Sequence, residues 1–324
     1  MSTTALPPFA VFVNPGVSVR FLHALHELGL RPSLVVTRNP STAAQKSGLA
    51  GRMKALAITG IQPALRSATL SGLVPGRVER ISNTWAFALQ HGWPVLDHGA
   101  LKTPDFAQRV QAYGCKYAFV FGFSILPPTL IDVFPGGVSG FHPTLLPYAR
   151  GAVPSVWSAL HGHPSAGFTI FRLDAGVDTG NILEQHAVPA SHLDDARTHL
   201  EHVSAAGARR MAQHALQVLL NDNMPQGVAQ TERGPADRRP TPADCALSPD
   251  LTLAEVQRRI AAGRWFGGAE LPTAAGVLSI VAHLPEVPPP SEPTPVPSSR
   301  SYLVGLPTSD AGTVTLVGHR GTRS

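Results

Sequence analysis

The first 37 residues hold the pattern that most restricts the fold of this chain. Phe9–Val13 is a short apolar run that ends at an Asn-Pro-Gly turn. Val17–Leu28 follows with apolar residues at helical spacing, and Ser33–Thr37 is a second run typical of a strand. A strand, a helix and a strand in this order predict a βαβ unit, which begins a parallel sheet covered by helices.

Later segments continue the alternation of strands and helices. Strands are predicted at Pro94–Asp97, Tyr117–Gly122 and Ile182–Val188, and helices at Asp105–Tyr113 and Leu193–Asn221. The long helix has acidic residues near its start, where negative charge favours the helix dipole. We therefore predict an α/β fold with an open, mostly parallel, Rossmann-like sheet. The first turn lacks Gly-x-Gly-x-x-Gly, which argues against dinucleotide binding.

The composition changes after the long helix. Gln226–Ala243 is polar and rich in proline, and this predicts a linker. Leu251–Ala262 has helical spacing, while Leu271–Leu284 and Ser301–Val317 resemble strands on either side of a proline-rich run. We predict two domains, residues 1–225 and residues 226–324, the second one small and β-rich.

Bulk properties limit the classes of partner and compartment. The net charge of +5 permits anionic partners, but no run of five basic residues indicates a nucleic-acid surface. Asn39–Val78 is the most basic segment, and it fits either a loop that touches an anionic substrate or a solvated insertion. Two cysteines form no disulfide framework, and neither a signal peptide nor a membrane span is recognisable. We expect a cytoplasmic protein with no membrane contact.

The residues with the clearest chemical meaning lie in Gly137–Gln185. His142 lies in a stretch punctuated by Pro and Gly, which we interpret as a loop. Asp178 follows 36 residues later in a glycine-rich turn. Two loops that bring an imidazole and a carboxylate together are typical of a site that transfers protons.

Four short blocks in this segment resemble the folate-dependent formyltransferase family in both order and spacing. They are residues 140–147, the pair Arg150-Gly151, residues 167–170 and residues 174–180. The family includes methionyl-tRNA formyltransferase and the sugar N-formyltransferases. The resemblance is strong over Phe9–Thr37 and Gln111–Leu220, and it implies the formyltransferase fold.

The resemblance also implies an activity, the transfer of a formyl group from 10-formyltetrahydrofolate to an amine. Such acyl transfer needs a donor for the developing oxyanion and a group that moves a proton. His142 would supply both functions as catalytic acid, base and oxyanion donor, because an imidazole titrates near neutral pH. Asp178 would orient His142 and stabilise its charged form.

The family's folate-binding positions correspond to two groups of residues here. They are Phe123, Ser124, Ile125 and Leu126 after a predicted strand, and Asp174, Ala175, Gly176 and Val177 in the Asp178 turn. Ligands gather at the carboxyl ends of strands in open α/β sheets, and glycine-rich turns expose backbone groups to a flat heterocycle. We predict no bound metal, since His161, His163, His199 and His202 belong to no recognisable metal motif.

Gly140 is a departure from the family pattern, which has a catalytic asparagine at this position. Three interpretations stay open. Ser139, Thr144 or a water replaces the amide, the acceptor or acyl donor differs, or the protein binds folate without transferase activity.

The identity of the acceptor does not follow from the sequence. We favour a small-molecule amine in a specialised biosynthetic pathway, because a housekeeping enzyme should tolerate the loss at Gly140 poorly. Methionyl-tRNA formyltransferase, with tRNA as partner, is the alternative that the chain length supports. A non-catalytic folate-binding homologue and a formyl-folate hydrolase also stay open, as does a homodimer.

Overall fold

The computed structural model describes residues 5–40, 83–163, 165–189, 195–230, 236–273, 276–296 and 301–320. The chain divides into two compact units. The first contains Met1–His142, Thr169–Glu184 and Ser204–Thr231, and the second contains Pro143–Phe168, Gln185–Val203 and Glu232–Ser324. Nearly all of the basic segment 39–78 lies outside the described residues, so its contact with a substrate stays a prediction.

A seven-stranded sheet confirms the predicted α/β class. Its strands are β1 Phe9–Val13, β2 Leu34–Thr37, β3 Val95–Asp97, β4 Tyr117–Phe121, β5 Gly137–His142, β6 Ala166–Arg172 and β7 Ile182–Val188. They follow the order β3-β2-β1-β4-β5-β6-β7. Strands β1 to β5 pair in parallel, and β6 pairs antiparallel to β5. The sheet is therefore mostly parallel and open, as expected from the sequence.

The helices agree with the longer predicted segments. They are α1 Val19–Glu27, α2 Thr84–Gln90, α3 Phe106–Gln111, α4 Pro128–Ile131, α5 Pro154–His161, α6 Ala196–Asn221 and α7 Leu253–Gly263. Helix α6 begins after Asp195, whose carboxylate accepts hydrogen bonds from two backbone N–H groups of the first turn. The predicted start at Leu193 lies outside the described residues. No helix in the described part of the chain combines the length and apolar character that a membrane span requires.

Short helices α2 and α5 were missed by the sequence interpretation. Helix α2 begins at a cap, where the Asn83 side chain accepts from the Trp85 N–H at 3.0 Å. Helix α5 begins with Pro154 in its first turn, where the missing proline N–H costs nothing. Both helices are eight residues or shorter, so too few turns exist for helical periodicity to identify them.

The core of the first unit explains why its strands are continuous apolar runs. Every residue of β1, β2 and β4 is buried. On one face, Phe12 packs edge-on against Phe123 and Phe134. On the other face, the Phe121 ring stacks on Phe21 and Phe141, with centroids 5.3 Å and 4.1 Å away. Strands buried on both faces need apolar residues at every position.

The second unit contains the predicted β-rich part. Its five strands are β8 Ala269–Thr273, β9 Gly276–His283, β10 Thr294–Pro295, β11 Ser301–Thr308 and β12 Gly312–Arg320. They form an antiparallel sheet in the order β10-β11-β12-β9-β8. The single strands predicted at Leu271–Leu284 and at Ser301–Val317 are instead two antiparallel pairs, β8 with β9 and β11 with β12. Apolar runs that follow each other closely in the sequence give one continuous signal.

The compact units do not coincide with the predicted division at residues 225 and 226. Helix α5, from the middle of the chain, shares a buried core with α7 and the C-terminal strands. Val156 and Ala159 of α5 belong to the same cluster as Val256 and Ile260 of α7. Burial of these side chains assigns residues 143–168 to the second unit, although the motif pattern groups them with the first.

Within the predicted linker Gln226–Ala243, the structure describes residues 226–230 and 236–243, and hydrogen bonds hold these parts at several points. Val228 exchanges two backbone hydrogen bonds with Ile182, both 2.8 Å long. The Asn181 side chain donates to the Gln226 carbonyl at 2.8 Å. Within the second unit, Asp237 pairs with Gly151 in a parallel bridge. Proline and glycine here give irregular backbone that is still fixed by hydrogen bonds.

Helix α6 provides a test of how tightly the sheet is covered. A Cβ on Gly207 would overlap the ring of Phe141, which is stacked on Phe121. Alanine normally stabilises a helix interior by about 1 kcal/mol relative to glycine. We expect Gly207→Ala to lower the free energy of unfolding instead, by about 1–3 kcal/mol through overpacking. Urea unfolding measures this change. Ala206→Gly, at an exposed position, calibrates the helix propensity, and a stabilised Gly207→Ala protein would contradict the prediction.

Candidate active site

His142 is the last residue of strand β5, not a loop residue as the sequence suggested. Pairing with β4 extends β5 to Phe141, and pairing with Thr169 of β6 extends it to His142, directly before the proline at position 143. Because β1 to β5 are parallel, His142 lies at the edge where their carboxyl ends meet, which is the usual ligand-binding edge of such a sheet. The His142 side chain is 5% exposed.

Asp178 lies in the loop between β6 and β7, as predicted, and it faces His142. The distance from its Oδ2 to His142 Nδ1 is 3.5 Å, and its side chain is 22% exposed. Asp178 has a φ of +52°, a left-handed conformation in which Asp is among the better tolerated residues. The structure therefore brings together the two side chains that the sequence selected from separate segments.

The Asp178 loop is fixed at its base and at its first turn. Arg172 N–H donates to the Asn181 carbonyl at 2.8 Å, which closes the loop where β6 ends. Inside the loop, Asp174 Oδ1 accepts from the Gly176 N–H at 3.0 Å and from the Thr179 hydroxyl at 2.6 Å. One oxygen of the Asp174 carboxylate thus stabilises the loop itself, while residues 174–176 stay exposed to solvent.

Gly140 lies on the same face of β5 as His142, because side chains alternate along a strand. A Cβ built on Gly140 would be 2.5 Å from Leu173 Cδ1 and 3.0 Å from Phe171 Cε1. Apolar side chains therefore fill the space next to the glycine. Ser139 points to the opposite face, and the Thr144 hydroxyl donates to the Tyr148 carbonyl at 2.7 Å. Neither residue stands in the place of the missing amide.

Two residues of the segment 123–126, which follows β4, pack into the core, and the other two lie on the surface. Leu126 is buried, and Phe123 is partly buried against the same cluster. Ser124 and Ile125 are exposed, the latter with 68% of its surface accessible. Phe123 and Leu126 thus serve the core, and Ile125 presents an apolar side chain at the carboxyl edge.

His98 belongs to the same edge and was missed in the sequence. It follows β3, its ring packs 4.6 Å from Phe123, and its Nε2 is 3.2 Å from the Ser124 hydroxyl. Burial lowers the pKa of His98, and the positive charge of Arg38 lowers it further against the opposing effect of Asp97. A neutral imidazole at this position suits hydrogen bonding. No local motif marks His98, since only the parallel pairing of β2 with β3 brings it to this edge.

Metal-ligating side chains and cysteine thiols are the other groups that could carry chemistry. Among the residues that the structure describes, no group of three or more His, Cys, Asp or Glu side chains is arranged to hold a metal ion. Both cysteines are buried, and burial raises the pKa of the Cys115 thiol to about 11 and that of Cys245 to about 12. High thiol pKa values disfavour the reactive thiolate at neutral pH.

Comparison with known families agrees with the motif blocks. The sequence model described as formyl transferase matches residues 42–215, which include His142, Asp178 and the segment after β4. The chain belongs to the formyl transferase family.

The chain matches curated relatives over part of their length. The methionyl-tRNA formyltransferase of Azobacteroides pseudotrichonymphae genomovar. CFP2 is 34% identical over 123 residues. That match covers 38% of this chain and 38% of the relative, so the chain spans well under half of that protein. Family membership therefore rests on the matched domain, and the acceptor is a separate question.

Solved structures of formyl transferases share the fold. A sugar N-formyltransferase from Shewanella sp. FDAARGOS_354 aligns with a TM-score of 0.55 at 16% identity, over 83% of this chain and 94% of that one. WlaRD, a sugar 3N-formyl transferase solved in the presence of dTdp and 5-N-Formyl-THF, aligns with a TM-score of 0.61 at 13% identity. That alignment covers 98% of this chain and 100% of WlaRD. At these identities the likeness demonstrates the fold alone.

The packing around Gly140 predicts that the family asparagine cannot simply be restored. We expect Gly140→Asn to lower the free energy of unfolding by about 1–3 kcal/mol, because the new Cβ must displace Leu173. Leu173→Ala should lower the free energy of unfolding less in the Gly140→Asn background than in the natural protein. A double-mutant cycle by chemical unfolding measures this coupling, expected at about 1 kcal/mol or more. Strictly additive costs would contradict the predicted contact.

Proposed function

We propose that this protein transfers a formyl group from 10-formyltetrahydrofolate to an amine of a small-molecule acceptor. The observation that supports the proposal most directly is the distance of 3.5 Å between His142 Nδ1 and Asp178 Oδ2 at the carboxyl edge of the sheet. The family match includes both residues. 10-Formyltetrahydrofolate would supply the one-carbon unit as a substrate.

Proton transfer is the task that the His142–Asp178 pair suits. The amine forms a bond to the formyl carbon, the bond from that carbon to the folate nitrogen breaks, and one proton moves from the amine to that nitrogen. His142 is proposed to move this proton through its Nε2, with its Nδ1 held by Asp178. The low exposure of His142 keeps bulk water from competing for the proton.

Oxyanion stabilisation is the function affected by Gly140. One lost side-chain donor typically slows an acyl transfer by about 100- to 1,000-fold when nothing replaces it. Phe171 and Leu173 border Gly140 with carbon atoms, so they offer no hydrogen bond there. We therefore assign the oxyanion to His142, which leaves the same imidazole with both tasks and predicts slow turnover.

The donor is proposed to bind between the two predicted folate segments. Ile125 offers an exposed apolar side chain, and residues 174–176 are exposed in a loop whose first turn is held by the Asp174 carboxylate. These features fit a flat ring with polar edges. Ser124, Ala175 and Val177 stay in the proposal as flanking positions, while Phe123 and Leu126 would support the site from the core.

The acceptor is proposed to be an amine on a small molecule such as an amino sugar. WlaRD and the Shewanella enzyme, which are named as acting on sugars, align with nearly the whole of their own chains. The second candidate is transfer to methionyl-tRNA, which the names of the curated relatives favour. The two acceptors differ sharply in charge, and this makes them separable in solution.

Substitution at the central pair tests the assignment. We expect His142→Ala to lower kcat by about 100- to 10,000-fold, because the proton then has no positioned carrier. Asp178→Asn should lower kcat less, since an amide can still orient the imidazole but cannot stabilise its charge. Absorbance of the released tetrahydrofolate measures turnover with a panel of amino sugars as acceptors. His202→Ala, at an exposed position of α6, is the matched control. Near-normal turnover by His142→Ala would refute the assignment.

Salt dependence separates the candidate acceptors. With a small amine, kcat/KM should change little between 50 mM and 200 mM salt. With initiator tRNA, release of counterions from several phosphates should lower the affinity by about 1,000-fold or more over this range. Formate release without any amine would identify a hydrolase, and folate binding with no turnover of any kind would identify a non-catalytic homologue. Transfer to tRNA with a steep salt slope would overturn the proposed acceptor.

A further inference from the structure

Gln230 is a buried side chain that contacts the Asp178 loop directly. Its Nε2 donates to the Asp178 carbonyl oxygen at 2.9 Å and to the Gly180 carbonyl oxygen at 2.8 Å. Only 5% of the residue is exposed. Both partners are carbonyl oxygens, so the amide nitrogen must face them, and each of its two hydrogens has an acceptor.

The loop needs a contact at this place. Asp178 adopts a left-handed conformation that side-chain sterics disfavour, so surrounding contacts must hold it there. Asp174 fixes the first half of the loop through the Gly176 N–H and the Thr179 hydroxyl. Gln230 fixes the second half, with one hydrogen bond to Asp178 itself and one to the residue two positions later.

The position of Gln230 is set by the backbone of the segment after α6. Val228 forms paired hydrogen bonds with Ile182, and the Asn181 side chain holds the Gln226 carbonyl. These contacts place Gln230 two residues beyond a fixed bridge, on the side of the Asp178 loop. The segment was predicted as a linker, and no motif in the sequence connects it to the site.

We propose that Gln230 is a positioning residue that holds the Asp178 carboxylate against His142. This inference rests on the proposed function for its kinetic consequence, but the geometric part is independent of it. A displacement of about 1 Å at a catalytic group can cost on the order of 100-fold in rate. The carboxylate is 3.5 Å from His142 Nδ1, so a small movement of its backbone would weaken the contact.

Gln230→Met tests the proposal, because methionine keeps the length of the side chain and removes both donors. We expect kcat to fall by about 10- to 100-fold, with a change in KM for the formyl donor that is much smaller. Gln226→Met is the matched control, since Gln226 is exposed and its hydrogen bond with Asn181 is made by the backbone carbonyl, which the substitution keeps. It should keep the natural kcat.

Gln230→Glu adds a pH-dependent readout that a purely structural role would not give. An ionised carboxylate donates no hydrogen bond and adds negative charge beside Asp178, so wherever the introduced carboxyl group is ionised this variant should be at least as slow as Gln230→Met. Protonation at lower pH restores one donor. The ratio of kcat for Gln230→Glu to kcat for Gln230→Met should therefore rise as the pH falls through the pKa of the new carboxyl group, which burial beside Asp178 raises above its usual value of about 4. The ratio cancels the pH dependence that both variants share.

Nitrogen chemical shifts of the His142 imidazole test the geometry without any turnover. Asp178→Asn defines the direction in which these shifts move when the carboxylate is lost. Gln230→Met should move them in the same direction, and Gln226→Met should leave them unchanged. This result supports the positioning role even if no amine is ever formylated, so the failure of the proposed function would stay distinguishable.

Two results would overturn the proposal. One is a folded Gln230→Met protein with the natural His142 shifts and the natural kcat. The other is a kcat for folded Gln230→Glu, relative to the natural protein, that does not rise as the pH falls, and this arm applies if Gln230→Met fails to fold. Thermal unfolding of all four variants checks folding.

Discussion

The antiparallel pairing of β6 with β5 is the constraint on which the site depends. Its register places Phe171 opposite Gly140 and Thr169 opposite His142. The loop after β6 then folds back, so that Leu173 lies against Gly140 and Asp178 lies 3.5 Å from His142. A slip of one residue would turn every side chain of one strand to the other face and separate the imidazole from the carboxylate.

The same register explains why a glycine fits at position 140, apart from its effect on the proposed chemistry. A strand glycine permits the close approach of a neighbouring segment, and here that segment is the start of the Asp178 loop. The amide of the family pattern is absent, and carbon atoms of Phe171 and Leu173 occupy its surroundings. The space beside Gly140 is thus apolar. In the proposed chemistry, His142 must therefore stabilise the oxyanion as well as move the proton.

Residues after the long helix complete the region around the motif. Val228 pairs with Ile182 just after the Asp178 loop, Gln230 donates to Asp178 and Gly180, and Asp237 pairs with Gly151 of the Arg-Gly block. A chain cut at the predicted boundary, after residue 225, would lose Val228 and Gln230 from the first unit. The loop that holds Asp178 is therefore supported from a part of the chain that its composition marks as a connection.

Apolar periodicity and short motif blocks are local signals, and they were enough to predict the α/β class, the long helix and the pair His142 and Asp178. The remaining features depend on how distant segments pack together. This packing extended β5 through His142, brought His98 to the carboxyl edge, filled the space at Gly140 with Leu173 and brought Gln230 to Asp178. These outcomes depend on strand register and on hydrogen bonds between segments about 50 residues apart, which no window of local sequence contains.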